Sequence, residues 1–313
     1  MTHFSLARNT FIEKIELIAS ALGEPIYGDR APNLTSSDSQ AHNNRARLLR
    51  NGLVILQFNT LENYIKERTK EILSGINGST VDFKNLPEKL RNAVLVDLIK
   101  PIDFMLKFQD NKHEFMQKIS AMMASTAKTG YTLPQYCFFH GKSNIDTNDV
   151  ENAILAFGID KPWENITSVG TELGFSGVFP KEKFNQLSQA RHRAAHTGDA
   201  DITLLDLQAN MTSIKCIGFS FDILITQALW LINRPNTAFY SPDKKFKASQ
   251  IRYRWLEMKG ANWIDLENKK TRASKRDTSK EIVKAHSLQK ASAEFSFVVE
   301  RNSLKQIVNF FTN

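Results

Sequence analysis

A chain of 313 residues, 42% apolar and 24% charged, has the make-up of a globular protein with room for one large or two medium domains. No run of about 18 apolar residues marks a membrane span, and Met1-Thr2-His3-Phe4-Ser5 lacks the basic-then-apolar pattern of a secretory leader. Two cysteines, Cys137 and Cys216, are too few for a disulfide scaffold, so a cytoplasmic protein without membrane contact is expected. The net charge of +8 is uneven, because residues 241–313 hold 16 basic and 8 acidic side chains and leave 25 of each in 1–240. A basic end on a neutral body points to a polyanionic partner, nucleic acid before membrane; the plainer reading is a solvated charged surface.

In chain order, Phe11, Ile12, Ile15, Ile18 and Leu22 predict a helix over 5–22 that Gly23 stops. Gly23 to Gln40, with Pro25, Gly28, Pro32 and a Ser-Ser-Asp-Ser cluster, reads as a loop. A long helix is expected from about His42 to Ser74, with Leu48, Ile55, Phe58, Leu61, Ile65 and Ile72 as its inner stripe and Gly75 at its end. At 1.5 Å per residue it spans roughly 50 Å. Pro87 opens a helix through Leu90, Val94, Leu95, Leu98 and Ile99, which Pro101 kinks or interrupts before Phe104-Met105-Leu106. A shorter helix follows over 112–127, then an irregular stretch over 129–146. Asp146 or Thr147 caps a helix through Val150, Ile154, Leu155 and Phe157 that Gly158 stops. Lys161-Pro162-Trp163 and the Gly170–Gly177 region read as connectors.

The next helix has Phe179, Phe184 and Leu187 on its inner face and runs into an Arg/His-rich stretch before Gly198. Thr203 with Asp206 caps a helix of about thirty residues that ends at Asn233-Arg234-Pro235 and is nearly apolar all round, from Leu204 and Leu205 to Leu231. That composition suits a central bundle helix or a dimer face. A boundary near Pro235–Pro242 separates a helical domain (1–235) from a small basic accessory domain (243–313). There Ile251–Trp255, Trp263-Ile264 and Phe295–Val299 read as strands, Lys269 to Lys280 as a basic loop, and Ser303 to Phe311 as a closing helix. The expected fold class is mainly α: a helical bundle with a small basic C-terminal α+β segment.

One stretch looks chosen for chemistry. Arg191-His192-Arg193-Ala194-Ala195-His196 places two arginines and two histidines in six residues, where a buried helix face would need a partner for each. A metal reading takes His192 and His196, four apart on one helix face, with Cys137 and His140 as further ligands. Against it, Arg193 stands where a zincin helix needs glutamate, and two guanidinium groups repel a dication. A metal-free reading gives proton transfer at a ribose hydroxyl to histidine and phosphate binding to arginine, so that the 2′-hydroxyl of RNA is the nucleophile. A structural reading pairs both arginines with acidic neighbours and leaves His196 as a helix cap. Arg191 and His196 are five residues apart, about 140° around an ideal helix. They converge only if the helix loosens at its end or two copies face one another across a dimer.

Arg191–His196 resembles the Arg-polar-x-x-x-His signature of the HEPN superfamily, all-helical bundles that often act as ribonucleases. The long helix at 48–73, Leu-Pro-x-x-Leu at 86–90, the Gly141 to Trp163 stretch and the helix after Gly198 together resemble its prokaryotic RiboL-PSP-HEPN branch, over roughly 40–235. The resemblance implies a HEPN-like bundle, Arg191 and His196 as the catalytic pair and His192 as the assisting polar residue; Arg193, the second arginine of the metal-free reading, is an RNA-contact candidate. It also implies a homodimer that needs no metal or cofactor, cuts RNA to leave 2′,3′-cyclic phosphate and 5′-hydroxyl ends, and serves in a defence or toxin–antitoxin system with an antitoxin or defence partner. A non-catalytic HEPN scaffold or sensor that binds RNA or protein is the alternative. Histidine replaces the commoner asparagine at the second motif position, and Thr197 intervenes before the glycine. Outside the resemblance, Tyr253, Trp255 and Trp263 among Arg252, Arg254 and Lys259 are candidates to stack bases and hold phosphates, while those aromatics equally suit a small β core.

Overall fold

The computed structural model describes residues 5–31, 37–77, 79–139, 144–197, 200–233, 246–268 and 270–312. Helix α1 (Leu6–Ala21) is N-capped by Ser5, whose side chain accepts from Arg8 N, and it buries Phe11, Ile12, Ile15 and Ile18 as the spacing predicts. Helix α2 (Ser37–Ile76) is the 40-residue spine. Gly75 lies inside it rather than ending it, its carbonyl accepting from Asn233 Nδ2. Leu48 leaves the expected stripe and faces solvent, 62% exposed, because the burying face follows Val54, Phe58, Leu61, Ile65 and Ile72.

Two short helices follow, α3 (Glu88–Leu95) and α4 (Ile99–Leu106). The chain breaks before Ile99, and Pro101 occupies the first turn of α4, where its missing N–H costs nothing, so it interrupts no helix. Helix α5 (Lys112–Ser125) packs Phe115 and Ile119 on Leu98 and Ile102 in a satellite cluster. Asp146 and Asp149 form a reciprocal capping box on α6 (Thr147–Ala156). Helix α7 (Pro162–Glu172) replaces the expected connector: Pro162 starts it, and Trp163, Ile166, Val169 and Gly170 make its buried face.

Helix α8 (Pro180–His196) buries Phe184, Leu187 and Ala190, whereas Phe179 is its exposed N-cap. Thr203 and Asp206 form the predicted capping box on α9 (Leu204–Ile232). By length and composition α9 would cross a membrane, but 83% of its most apolar window is buried inside the protein, so it is a core helix. Gly170 lets α7 reach it, since a Cβ there would lie 2.7 Å from Cys216 Sγ, and Gly218 admits Phe11, whose ring stacks on Tyr64 at 4.0 Å.

A charged cluster sits in this core. Asp222 of α9 accepts from Arg8 of α1 (Nε, 2.7 Å), Arg68 of α2 (Nε, 2.6 Å), Tyr64 Oη and Thr226 Oγ1. Burial alone raises the Asp222 pKa, and the guanidinium groups of Arg68 and Arg8 overcome it, holding the carboxyl well below the usual carboxylate range. The apolar period of α9 concealed this polar knot.

The C-terminal segment forms a five-stranded sheet in the order β3-β2-β1-β4-β5, from β1 (Arg252–Lys259), β2 (Asn262–Glu267), β3 (Lys275–Asp277), β4 (Ser296–Arg301) and β5 (Ile307–Phe311). Strands β1 and β4 are parallel and joined through α10 (Lys280–Glu294); the other neighbours pair antiparallel. The expected loop thus contains β3, and the expected closing helix is β5, where Ile307 and Phe310 face inward from an extended chain. One sheet face carries Tyr253, Trp255, Phe297, Val299 and Phe310 into the same apolar cluster as α9, and the other packs Leu256 and Val298 on Val283 and Ala291 of α10. Arg8 ties the two regions further, its guanidinium 3.9 Å from the Phe310 ring centroid. The segment around Pro235–Pro242, where a boundary is expected, lies outside the described residues.

Candidate active site on helix α8

Helix α8 stays regular through the whole Arg/His stretch. Thr197 closes it, with both N (2.9 Å) and Oγ1 (2.8 Å) donating to Arg193 O. Gly198, the expected stop, lies outside the described residues. An unbroken helix removes end-loosening as a route to convergence, so Arg191 and His196 of one copy stay about 140° apart.

The side chains divide into a half-buried anchor and an exposed rim. Arg191 is half-buried, and its Nε is enclosed without a hydrogen-bond partner. His192, Arg193 and His196 are exposed, and the two imidazoles lie one turn apart with ring centroids separated by 4.6 Å. Among the described residues, neither arginine and neither histidine meets a carboxylate within salt-bridge distance. The acidic partners that the structural reading requires are thus missing from the described neighbourhood.

An open pocket of about 420 Å³ lies on this face, lined by Asn144, Ser188, Gln189, Arg191, His192 and Arg193. His196 is not in its lining, although its ring lies beside that of His192, which is. Ser188 lies four residues before His192, a helical spacing legible in the sequence; Asn144, at the entrance to α6, carries no such signal, and its Oδ1 is also enclosed and unpartnered. A cationic wall beside exposed imidazoles can bind a phosphate and exchange protons with a group held on it.

Among the described residues no three His, Cys, Asp or Glu side chains gather as metal ligands. Cys137 packs between the main core and the α4–α5 cluster, with Sγ donating to Pro134 O, and burial pushes its thiol pKa up to about 12. His140, the other ligand in the metal reading, lies outside the described residues.

A family model described as RiboL-PSP-HEPN matches residues 29–227, more than half of the chain and including all of α8. The chain belongs to the RiboL-PSP-HEPN family. No curated protein and no solved structure matches it. The HEPN match starts just before α2 and stops within α9, so the sheet and α10 lie beyond it.

The C-terminal candidates separate from the HEPN site. Tyr253 and Trp255 are 1% and 4% exposed, stacked on one another at 5.1 Å, and Arg301 covers the Trp255 ring at 3.1 Å. Arg254 is 2% exposed and bonded to Asp265 (Nη2, 2.5 Å), Glu294 (Nη1, 2.9 Å) and Ser274. The expectation that these three touch RNA fails on burial, since rings and guanidinium are committed inside the fold. Arg252 and Lys259 remain exposed at opposite ends of β1.

Proposed function

We propose that this HEPN chain is a metal-independent endoribonuclease acting as a homodimer. The observation that carries the reading is Arg191: a half-buried guanidinium with an enclosed, unpartnered Nε, free of any described carboxylate and lining a pocket beside His192. A guanidinium neutralised by a neighbour would be structural; one left unpaired is poised for a phosphate. In the proposed reaction the ribose 2′-oxygen attacks the adjacent phosphorus as a histidine takes its proton, the bond from phosphorus to the 5′-oxygen breaks, and that oxygen leaves protonated. The products are a 2′,3′-cyclic phosphate and a 5′-hydroxyl. Arg191 stabilises the charge on the phosphorane oxygens, Arg193 contacts the neighbouring backbone, and His192 and His196 carry the proton transfers.

Membership of a HEPN family supports an RNA-directed activity, and the 140° separation of Arg191 from His196 supports the dimer, because a two-fold axis is what brings the pair together. The experiment is incubation with total RNA in EDTA. Cleavage that survives chelation and is lost in Arg191→Ala and His196→Ala supports the enzyme. A second reading, an RNA- or protein-binding HEPN module, is favoured by the absence of His196 from the pocket lining; intact RNA with a retained gel shift would establish it. A defence or toxin role with a restraining partner is part of the proposal, tested by growth arrest on expressing wild type but not His196→Ala.

A further inference from the structure

The α2–α8 seam carries a set of polar groups that the proposed reaction does not yet use. Phe58 of α2 meets Phe184 of α8 edge-on, ring centroids 5.5 Å apart. Arg50, eight residues back along α2, donates to the carbonyl of Ile202, which lies beyond the end of α8. Going backward on α2 therefore goes forward on α8, and the two helices run antiparallel. Residues seven apart on a helix lie within about 20° of one line. One heptad from the Phe58–Phe184 contact, in opposite directions, stand Asn51 and Arg191. One turn further back on the same face of α2 stands Arg47.

All three are unsatisfied. Asn51 is 5% exposed, and both its Nδ2 and its Oδ1 are enclosed without partners; Arg47 Nε and Arg191 Nε are in the same condition. No described residue supplies a hydrogen bond or ion pair to Arg47. Buried polar atoms are almost always paired, and two guanidinium groups on one seam, without a described carboxylate on either, favour an anion between the helices. Four such atoms along one seam beside the α8 pocket are the mark of a site built for something that arrives.

We infer that α2 backs the site from behind Arg191: Asn51 is a positioning residue for Arg191, and Arg47 adds a second positive charge near the bound phosphodiester. This rests on the ribonuclease reading for the identity of the anion. In the substrate complex Asn51 Oδ1, unbonded in the free protein, takes the Arg191 Nε–H, which aims the two terminal nitrogens at the phosphate. A neutral amide does this without cancelling the charge, as a carboxylate in its place would.

The test separates this role from a packing role. Inorganic phosphate is the probe in thermal melts, and a fluorescent RNA oligonucleotide in the His196→Ala background is the probe for affinity. Asn51→Leu removes a buried unpaired amide while keeping the same branching and number of heavy atoms, so it is expected to melt at or above the wild-type temperature. It nevertheless loses the phosphate-induced shift and about tenfold in RNA affinity. Asn51→Asp is expected to stay folded and lose RNA affinity as its carboxylate neutralises the arginines. Arg47→Ala, on a half-buried side chain, is expected to weaken RNA binding about tenfold and lower the salt slope by about one. Wild-type RNA affinity in folded Asn51→Leu and Arg47→Ala overturns the inference, and so does the absence of any phosphate-induced shift in the wild type. A phosphate shift that depends on Arg47 and Asn51 in a protein that cuts no RNA retains this site and sinks the ribonuclease reading alone.

Discussion

Replacing Asp222 by asparagine tests whether the buried charge cluster holds α1, α2 and α9 together. The carboxylate is inaccessible, Arg8 and Arg68 are 5% and 4% exposed, and the anion receives donors from both guanidinium groups, Tyr64 and Thr226. Asparagine keeps the shape but turns one oxygen into a donor that faces donors, and it leaves two buried cations with only the partly exposed Glu71 beside Arg68. Removing one member of a buried pair typically costs about 3–5 kcal/mol. That is a large share of the roughly 5–15 kcal/mol by which a domain is stable. At about 2 °C per kcal/mol for a large domain, Asp222→Asn should lower Tm by about 6–10 °C, read by far-ultraviolet circular dichroism. The Asp222 pKa is depressed by folding, so its stabilising contribution is present above the unfolded value of about 4 and is lost as pH falls through the folded value. Wild type should therefore lose stability more steeply than Asp222→Asn as the medium is acidified below about pH 4. A variant melting within about 1 °C of wild type at pH 7 would refute the reasoning.

Three further outcomes follow from the packing. Gly218→Ala sets a methyl 2.6 Å from Phe11 Cζ, and the resulting overpacking should destabilise by about 1–3 kcal/mol in urea titrations. Cys137 and Cys216, whose thiol pKa values burial pushes up to about 12, should resist iodoacetamide at pH 8 in the native protein and react fully in denaturant, followed by mass spectrometry. Trp255→Ala should lower Tm, since it opens a cavity against Tyr253 and strips Arg301 of its stacking face, without a direct loss of RNA contact.

Where periodicity and capping chemistry agreed, the sequence was a good guide. Asp146 and Thr203 cap the helices they were expected to cap, and the apolar run after Thr203 is the central helix. Errors cluster where a residue has two local meanings. Pro162 reads as a connector when taken alone and as a helix start once Trp163, Ile166 and Val169 are seen to share a face. Ile307, Phe310 and Phe311 fit a helix by spacing, but the open edge of β4 offers hydrogen bonds that a free helix of that length cannot match. The Arg/His stretch was legible because four costly side chains stood together. Asn51 was not, since its seven-residue offset from Phe58 has meaning only once Phe184 is known to lie opposite.

The unbroken helix also makes the dimer separately testable. If Arg191 of one protomer works with His196 of its partner, Arg191→Ala and His196→Ala homodimers are both inactive, each lacking one member in both clefts. Subunit exchange between equal amounts yields about half heterodimers under two-fold symmetry. In each heterodimer one cleft lacks both groups and the other has both, so cleavage should recover to about a quarter of the wild-type rate at equal total protein. If each protomer used its own pair, no mixture would restore activity, because every cleft would still miss one group. Persistent inactivity of a mixture in which exchange is shown by mass would therefore reject the shared cleft, and with it the only route left by a regular α8 for Arg191 and His196 to act on one phosphate.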